Sequence, residues 1–276
     1  MPNPHLTEAE EALRQALVAV TRAQERVRQV NRATADVATP ASRLPANVTT
    51  PGKAPEGGAR FFRDGEEGYG RMFDWLRSNP MLGPKISKEE FEGCDIIISA
   101  FGMARAPISY VAYGLATAYL ETAHTMQPIA ERGGNSYFTR QYDIRGRRPN
   151  TARRYGNTTP GDGIKYRGRG YVQLTWKINY ERAARKLREL GFDVDLVANP
   201  DLAMRPDVAA AVMVYGMIEG WFTGRKLSDD LPRQGPATIG QFVASRDIIN
   251  GSDKQDQIAV YANDFQTALQ HGGYMA

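Results

Sequence analysis

Two glutamates, Glu121 and Glu131, flank Pro128 where an apolar helical pattern ends, in the run Leu120-Glu121-Thr122-Ala123-His124-Thr125-Met126-Gln127-Pro128-Ile129-Ala130-Glu131. Two separated carboxyl groups are what hydrolysis of a glycosidic bond requires. The leaving oxygen has to gain a proton while a water on the opposite face of the sugar ring loses one. Read alone, the pair could equally be two surface glutamates, so the elements that position them matter.

Upstream, Ile108, Val111, Ala112, Leu115, Ala118, Tyr119 and Thr122 recur at three- and four-residue steps, which predicts a helix with one buried stripe. Glu121 falls beside that stripe, where a packed helix would meet a cleft and partial burial would favour a proton-carrying acid. Were the helix to continue, Glu131 would lie roughly 15 Å further along and on another face. An inverting pair stands about 6.5–9.5 Å apart. Pro128 disfavours helix at Gln127 and removes a donor, so the chain is expected to leave the helix there and return Glu131 across a groove.

A second polar cluster follows the loop Gly156-Asn157-Thr158-Thr159-Pro160-Gly161-Asp162-Gly163, which is rich in turn formers. It runs Tyr166-Arg167-Gly168-Arg169-Gly170-Tyr171-Val172-Gln173-Leu174-Thr175 and then Asn179-Tyr180. Alternating small, aromatic and amide residues predict a short strand or extended arm that presents polar side chains. Tyr166, Tyr171 and Trp221 could stack on pyranose faces, because an aromatic ring offers a flat apolar surface with a polar edge. The arginines Arg145, Arg147, Arg148, Arg153, Arg154, Arg167 and Arg169 could attract an acidic polymer, or form no more than a solvated face. No helix-turn-helix, zinc-finger or RNP-type pattern accompanies them, so nucleic acid is not the expected partner.

The order of Glu121-Thr122-Ala123, residues 168–175, Asn199-Pro200-Asp201-Leu202-Ala203, Gly220-Trp221-Phe222-Thr223-Gly224-Arg225-Lys226-Leu227 and Ile248-Ile249-Asn250-Gly251-Ser252 resembles the family-19 glycoside hydrolases. Within that family it is most similar to the phage endolysin branch, over about residues 95–270. The resemblance implies a mainly α, lysozyme-like, two-lobed catalytic domain with a minor β element. It implies Glu121 as general acid, Glu131 as the base that activates water, and Thr175 as the hydroxyl that helps hold that water. Gln173, Asn179 and Asn250 match sugar-contacting amides. The implied reaction is hydrolysis of a β-1,4 bond next to an N-acetylated sugar, with inversion.

Three positions depart from the family pattern. Leu120 stands where the family usually has a histidine before the acid, Ile178 where plant members have a tyrosine, and Gln257 where they place an arginine. These departures favour bacterial peptidoglycan strands over chitin as the expected substrate. A chitinase using the same residues, and a non-catalytic glycan-binding or virion structural protein, are the alternatives.

A chain of 276 residues with 42% hydrophobic content can bury one substantial core and carry a small appendage. The lone Cys94 excludes an internal disulfide. With His5, His124 and His271 it forms no cluster at ligand spacing, so neither metal nor other cofactor is expected. His124 is predicted to be a hydrogen-bonded bystander near Glu121.

The first thirty residues are charged and amphipathic, without the apolar core of a secretory signal. Synthesis in a host cytoplasm, with access to the periplasmic wall only after release, is therefore expected. No stretch is long enough for membrane insertion. Contact with an anionic envelope surface is conceivable from the net charge of +4, and a monomer is expected.

Three segments are predicted. Residues 1–36 form an amphipathic helix opened by the capping box Thr7-Glu8-Ala9-Glu10, with Leu13, Ala16, Val20, Ala23, Val27 and Val30 along a narrow seam. Residues 37–60 form a Pro/Ala/Gly-rich linker. Residues 61–276 form the catalytic domain, with helices over 60–79, 88–104, 179–190, 206–219, 239–249 and 255–270. Strands are predicted over 170–174 and 137–144.

Overall fold

The computed structural model describes residues 57–79, 81–249 and 254–275. The predicted N-terminal helix, most of the predicted linker and Asn250 lie outside the described residues. The architecture is mainly α, as expected, with one two-stranded sheet. In chain order the elements are α1 (Glu66–Ser78), α2 (Lys88–Met103), α3 (Ile108–Glu121), β1 (Ile129–Ala130), α4 (Asn135–Tyr142), α5 (Pro149–Arg154), α6 (Asp162–Lys165), β2 (Arg169–Gly170), α7 (Lys177–Glu189), α8 (Pro206–Glu219), α9 (Leu227–Asp230), α10 (Ile239–Ala244) and α11 (Gln255–Gly272).

The central element is α3, and it differs from the predicted one-stripe helix. Every residue from Ser109 to Tyr119 is buried. A helix apolar all round belongs inside the core, and here α11 and α2 pack against it. α2 is started by a reciprocal cap: Ser87 Oγ accepts from the Glu90 N–H, and Glu90 Oε2 accepts from the Ser87 N–H. α8 begins with Pro206 and ends on Gly220 in the left-handed region, a position glycine occupies without the Cβ penalty.

The apolar side chains form two clusters. The larger gathers α1, α2, α3 and α11 around Phe101, Tyr113, Leu115 and Phe265. The smaller joins Tyr166, Leu174, Tyr180 and Leu187 to Val208 and Val212 of α8. α8 contributes to both, since Ala209, Ala210 and Met213 lie in the larger one. Between residues 131 and 165 the short helices α4, α5 and α6 bury few large side chains, Phe138 among them.

Several predicted boundaries shift. The folded body takes in Gly58–Phe61 as a 3-10 turn, fixed by the Gly58 N–H on Asp95 Oδ1, so the linker's last residues belong to it. Of residues 137–144, 137–142 are helical and 143–144 form a turn, so no strand lies there. Their local periodicity turns Phe138 inward and Arg140 outward, which alternation by two would not do. The strand predicted over 170–174 is reduced to Arg169–Gly170, paired antiparallel with Ile129–Ala130; the chain then doubles back through an Arg169–Leu174 bridge. The helix predicted over 239–249 stops at Ala244 and tightens into a 3-10 turn, Ser245–Ile248. Among the described residues no helix is long and apolar enough to cross a membrane.

Candidate active site

Glu121 is the last residue of α3, where the buried helix reaches the surface. The helix ends there and not at Gln127, so Pro128 is not what stops it. The Thr122 hydroxyl donates to the Ala118 carbonyl and accepts from the Met126 N–H, while the His124 N–H reaches back to the Tyr119 carbonyl. These bonds satisfy the orphan carbonyls and amides of a helix end. They require left-handed backbone at Ala123, His124 and Met126, all with positive φ. Met126 is then clamped against α2: a Cβ added at Gly93 would lie 2.0 Å from the Met126 carbonyl oxygen. His124 stacks on Tyr119 with ring centroids 4.3 Å apart.

The Glu121 side chain is 21% exposed and accepts a 3.0 Å hydrogen bond from Arg246 Nη1 on Oε1. Arg246 is itself 2% exposed. It sits in the 3-10 turn after α10, which α3 holds directly through the Tyr113 hydroxyl donating to the Ser245 carbonyl at 2.7 Å. The helix that carries the carboxyl thus also anchors the guanidinium that orients it. With Oε1 engaged by the guanidinium, Oε2 is the oxygen left open to a ligand.

Glu131 follows β1 and is held more tightly. Its N–H donates to the Gly168 carbonyl at 2.9 Å, continuing the β1–β2 ladder. Its Oε1 accepts from the Tyr142 hydroxyl at 2.7 Å and the Tyr137 hydroxyl at 3.3 Å, and Oε2 accepts from the Gly168 N–H at 3.1 Å. Both tyrosines come from α4, five residues apart, Tyr142 being its last residue. Burial first, and then the hydrogen bond to Glu131, push the Tyr142 hydroxyl above its ordinary range, so it remains a donor. Gly168 is needed for this approach: a Cβ there would sit 2.7 Å from Gln173 Oε1 and 3.1 Å from Glu131 Oε2. A carboxylate has about four lone-pair sites. Three are filled here, which leaves one on Oε2 for a water.

The 173–179 segment backs this site. Gln173 Nε2 donates to the Ile129 carbonyl at 3.0 Å and, more weakly, to the Gly170 carbonyl at 3.4 Å, so its amide ties the arm to β1. Thr175 Oγ1 donates to the Gln173 carbonyl at 2.7 Å, which leaves its lone pairs to accept. Asn179 is buried and donates to the Thr175 carbonyl at 2.9 Å. Gln173 and Asn179 therefore hold the backbone of the site, and their donors already bond to main-chain carbonyls. Gln257 donates to the Tyr261 hydroxyl on its own helix.

The three aromatic residues expected to stack on sugars are placed elsewhere. Tyr166 and Tyr171 are fully buried, so no ring face is free. Trp221 is 8% exposed and donates its ring N–H to Glu219. It borders a cavity of about 590 Å³ lined also by Tyr155, Arg182, Lys186, Glu219 and Gly224, and neither Glu121 nor Glu131 lines it. The rings that do adjoin Glu131 are Tyr137 and Tyr142. Tyr142 meets Trp176 edge to face at 5.1 Å, and Trp176 stacks on Tyr155. These rings, with Arg246 and Gly168, were not singled out in the sequence. Among the described residues no group of three His, Cys, Asp or Glu side chains could hold a metal ion.

No protein-family model matches the chain, and no curated protein does. Among solved structures it is similar to chitinase C from Streptomyces griseus HUT6037, at 21% identity over 75% of this chain and 78% of that one, with a TM-score of 0.45. A mutant of chitinase C is similar at 18% identity, over the same shares of both chains, with a TM-score of 0.43.

Proposed function

We propose that the chain is a glycoside hydrolase that cleaves β-1,4 bonds of bacterial peptidoglycan by an inverting acid/base mechanism. The observation that carries this reading is the contrast between the two glutamates. Glu121 is held on one oxygen by Arg246, with the other open to a glycosidic oxygen, while Glu131 accepts three donors that fix its orientation. In the proposed reaction Glu121 Oε2 delivers its proton to the glycosidic oxygen as that bond breaks. Glu131 Oε2 takes a proton from water, whose oxygen bonds to the anomeric carbon from the opposite face. The second hydrogen of that water is offered to a lone pair of Thr175 Oγ1, whose own hydrogen is used on the Gln173 carbonyl. Each carboxyl ends with its charge exchanged, and proton transfer through solvent resets the pair.

Glu121→Gln and Glu131→Gln each test the assignment, because the amide keeps the shape and removes the proton chemistry. Each is expected to lower release of reducing ends from purified sacculi by at least about a hundredfold, with Tm nearly unchanged. Equal clearing by parent and Glu121→Gln would rule the mechanism out. Colloidal chitin run beside the sacculi separates the two substrates. Proton NMR of the first-formed reducing end has to give the inverted anomer, and retention would contradict the two-carboxylate scheme.

A further inference from the structure

Residues 132–165 carry eight cations and two carboxylates, a net charge of +6, whereas the whole chain has +4. Both carboxylates point inward. Asp143 is buried and accepts from the N–H groups of Gly161 and Gly163 and from Arg145. Burial would raise its pKa, and those hydrogen bonds overcome this and hold it low. Asp162 is buried and accepts from the Thr159 N–H.

The cations all face solvent. Arg132, Arg140, Arg147, Arg148, Arg153 and Arg154 are exposed, and among the described residues none of the six is ion-paired with a carboxylate. Lys165 is exposed as well, over the Tyr166 ring. Two arginines expected to join the face do not: Arg169 is 3% exposed and bound to Asp201 and Tyr180, and Arg167 is half-buried. The exposed large hydrophobic residues Phe91, Met103, Leu190, Ile239 and Met275 all lie outside this segment, so the face is charged without being amphipathic. That composition suits a hydrated polyanion better than insertion into a lipid interface.

The location narrows the choice of polyanion. Arg132 is the residue after Glu131, and Arg140 lies on α4 between the two tyrosines that orient that carboxylate. A strand held by this face would pass beside the hydrolytic site. We propose that the arginine face binds the carboxylates of the peptide substituents of peptidoglycan, groups that a chitin strand lacks. The inference rests on the hydrolase reading above and gives its substrate preference a physical origin. Guanidinium forks match carboxylates, and a run of unpaired ones raises the local concentration of an anionic polymer over about a Debye length.

The test uses the full chain and the triple variant Arg147→Gln, Arg148→Gln, Arg153→Gln, at positions that touch neither glutamate. Both forms are made in a Glu121→Gln background, so binding is read without hydrolysis and holds whether or not the hydrolase reading does. Sedimentation with purified sacculi at about 50 mM salt is expected to show binding weakened at least tenfold in the variant, with a flatter salt dependence. Amidating the sacculus carboxylates should bring the parent down to the variant. Equal binding by both forms, or binding untouched by amidation, would overturn the proposal. So would tighter arginine-dependent binding to duplex DNA or to phosphatidylglycerol vesicles than to sacculi. With Glu121 restored, cleavage of a short neutral chitooligosaccharide should differ less than about twofold between the two forms. Failure of both to cleave any glycan would count against the hydrolase reading alone.

Discussion

Tyr142 is the residue whose removal best separates orientation from chemistry at the proposed base. Tyr142→Phe deletes the 2.7 Å donor to Glu131 and leaves the ring against Trp176. A charge-assisted hydrogen bond contributes about 1.5–3 kcal/mol, so kcat is expected to fall roughly ten- to a hundredfold while KM and Tm change little. Steady-state kinetics on soluble glycan fragments checks this, and a KM effect alone would contradict it. The two glutamates could be proposed from the sequence because their spacing around an apolar helix and a proline is a local pattern. Tyr137, Tyr142, Gly168 and Arg246 were not, because each meets its glutamate only after tertiary folding; Arg246 is 125 positions away from Glu121. Tyr166 and Tyr171 show the converse error. A tyrosine's type does not reveal which side of a surface its ring lies on, and both rings complete cores.

The turn after α3 shows how elements carry the site. Because helix termination is built from Thr122 and from Met126 against Gly93, Pro128→Ala is expected to change stability by less than about 0.5 kcal/mol. Gly93→Ala, which drives a methyl into the Met126 carbonyl, is expected to cost at least about 2 kcal/mol and to lower activity with it. Denaturant melts of the two variants decide the matter, and the reverse ranking would restore the proline as the determinant. Sequence periodicity located the long helices well because burial repeats with helical spacing. It placed this turn wrongly because non-glycine residues at positive φ leave no local signature.

On α11, burial raises the Asp264 carboxyl to about 6, and a hydrogen bond from Asn79 only partly offsets this. The native state therefore favours the protonated form. Its stabilising contribution is present below about pH 4 and is lost as pH rises through about 6. Asp264→Asn should accordingly raise stability by about 2 kcal/mol at pH 7.5 and by almost nothing near pH 4. Thermal melts of both proteins across that range test it, and a gain that grows toward acid would refute it.

At the scale of the whole molecule, the fold class was legible from composition and repeated helical spacing, and the two apolar clusters joined by α8 were not. Which helix would serve both depends on packing over long sequence separations. The beginning and end of the described body also meet. Phe62 and Tyr274 form an antiparallel bridge, the Arg63 N–H donates to the Gly273 carbonyl at 3.0 Å, and the Met275 N–H donates to the Phe61 carbonyl at 2.8 Å. The Tyr274 ring packs edge to face on Phe62, 5.7 Å away. Deleting residues 273–276 removes both main-chain bonds and a half-buried ring, and is expected to cost about 2–3 kcal/mol. Calorimetry would register this as a lower Tm, and an unchanged one would make the clasp ornamental. Because this clasp already sets its two ends side by side, the body is topologically close to a ring. A few residues of spacer could join the ends and fresh termini be opened at an exposed loop such as 158–160, leaving both glutamates on an uninterrupted stretch of chain.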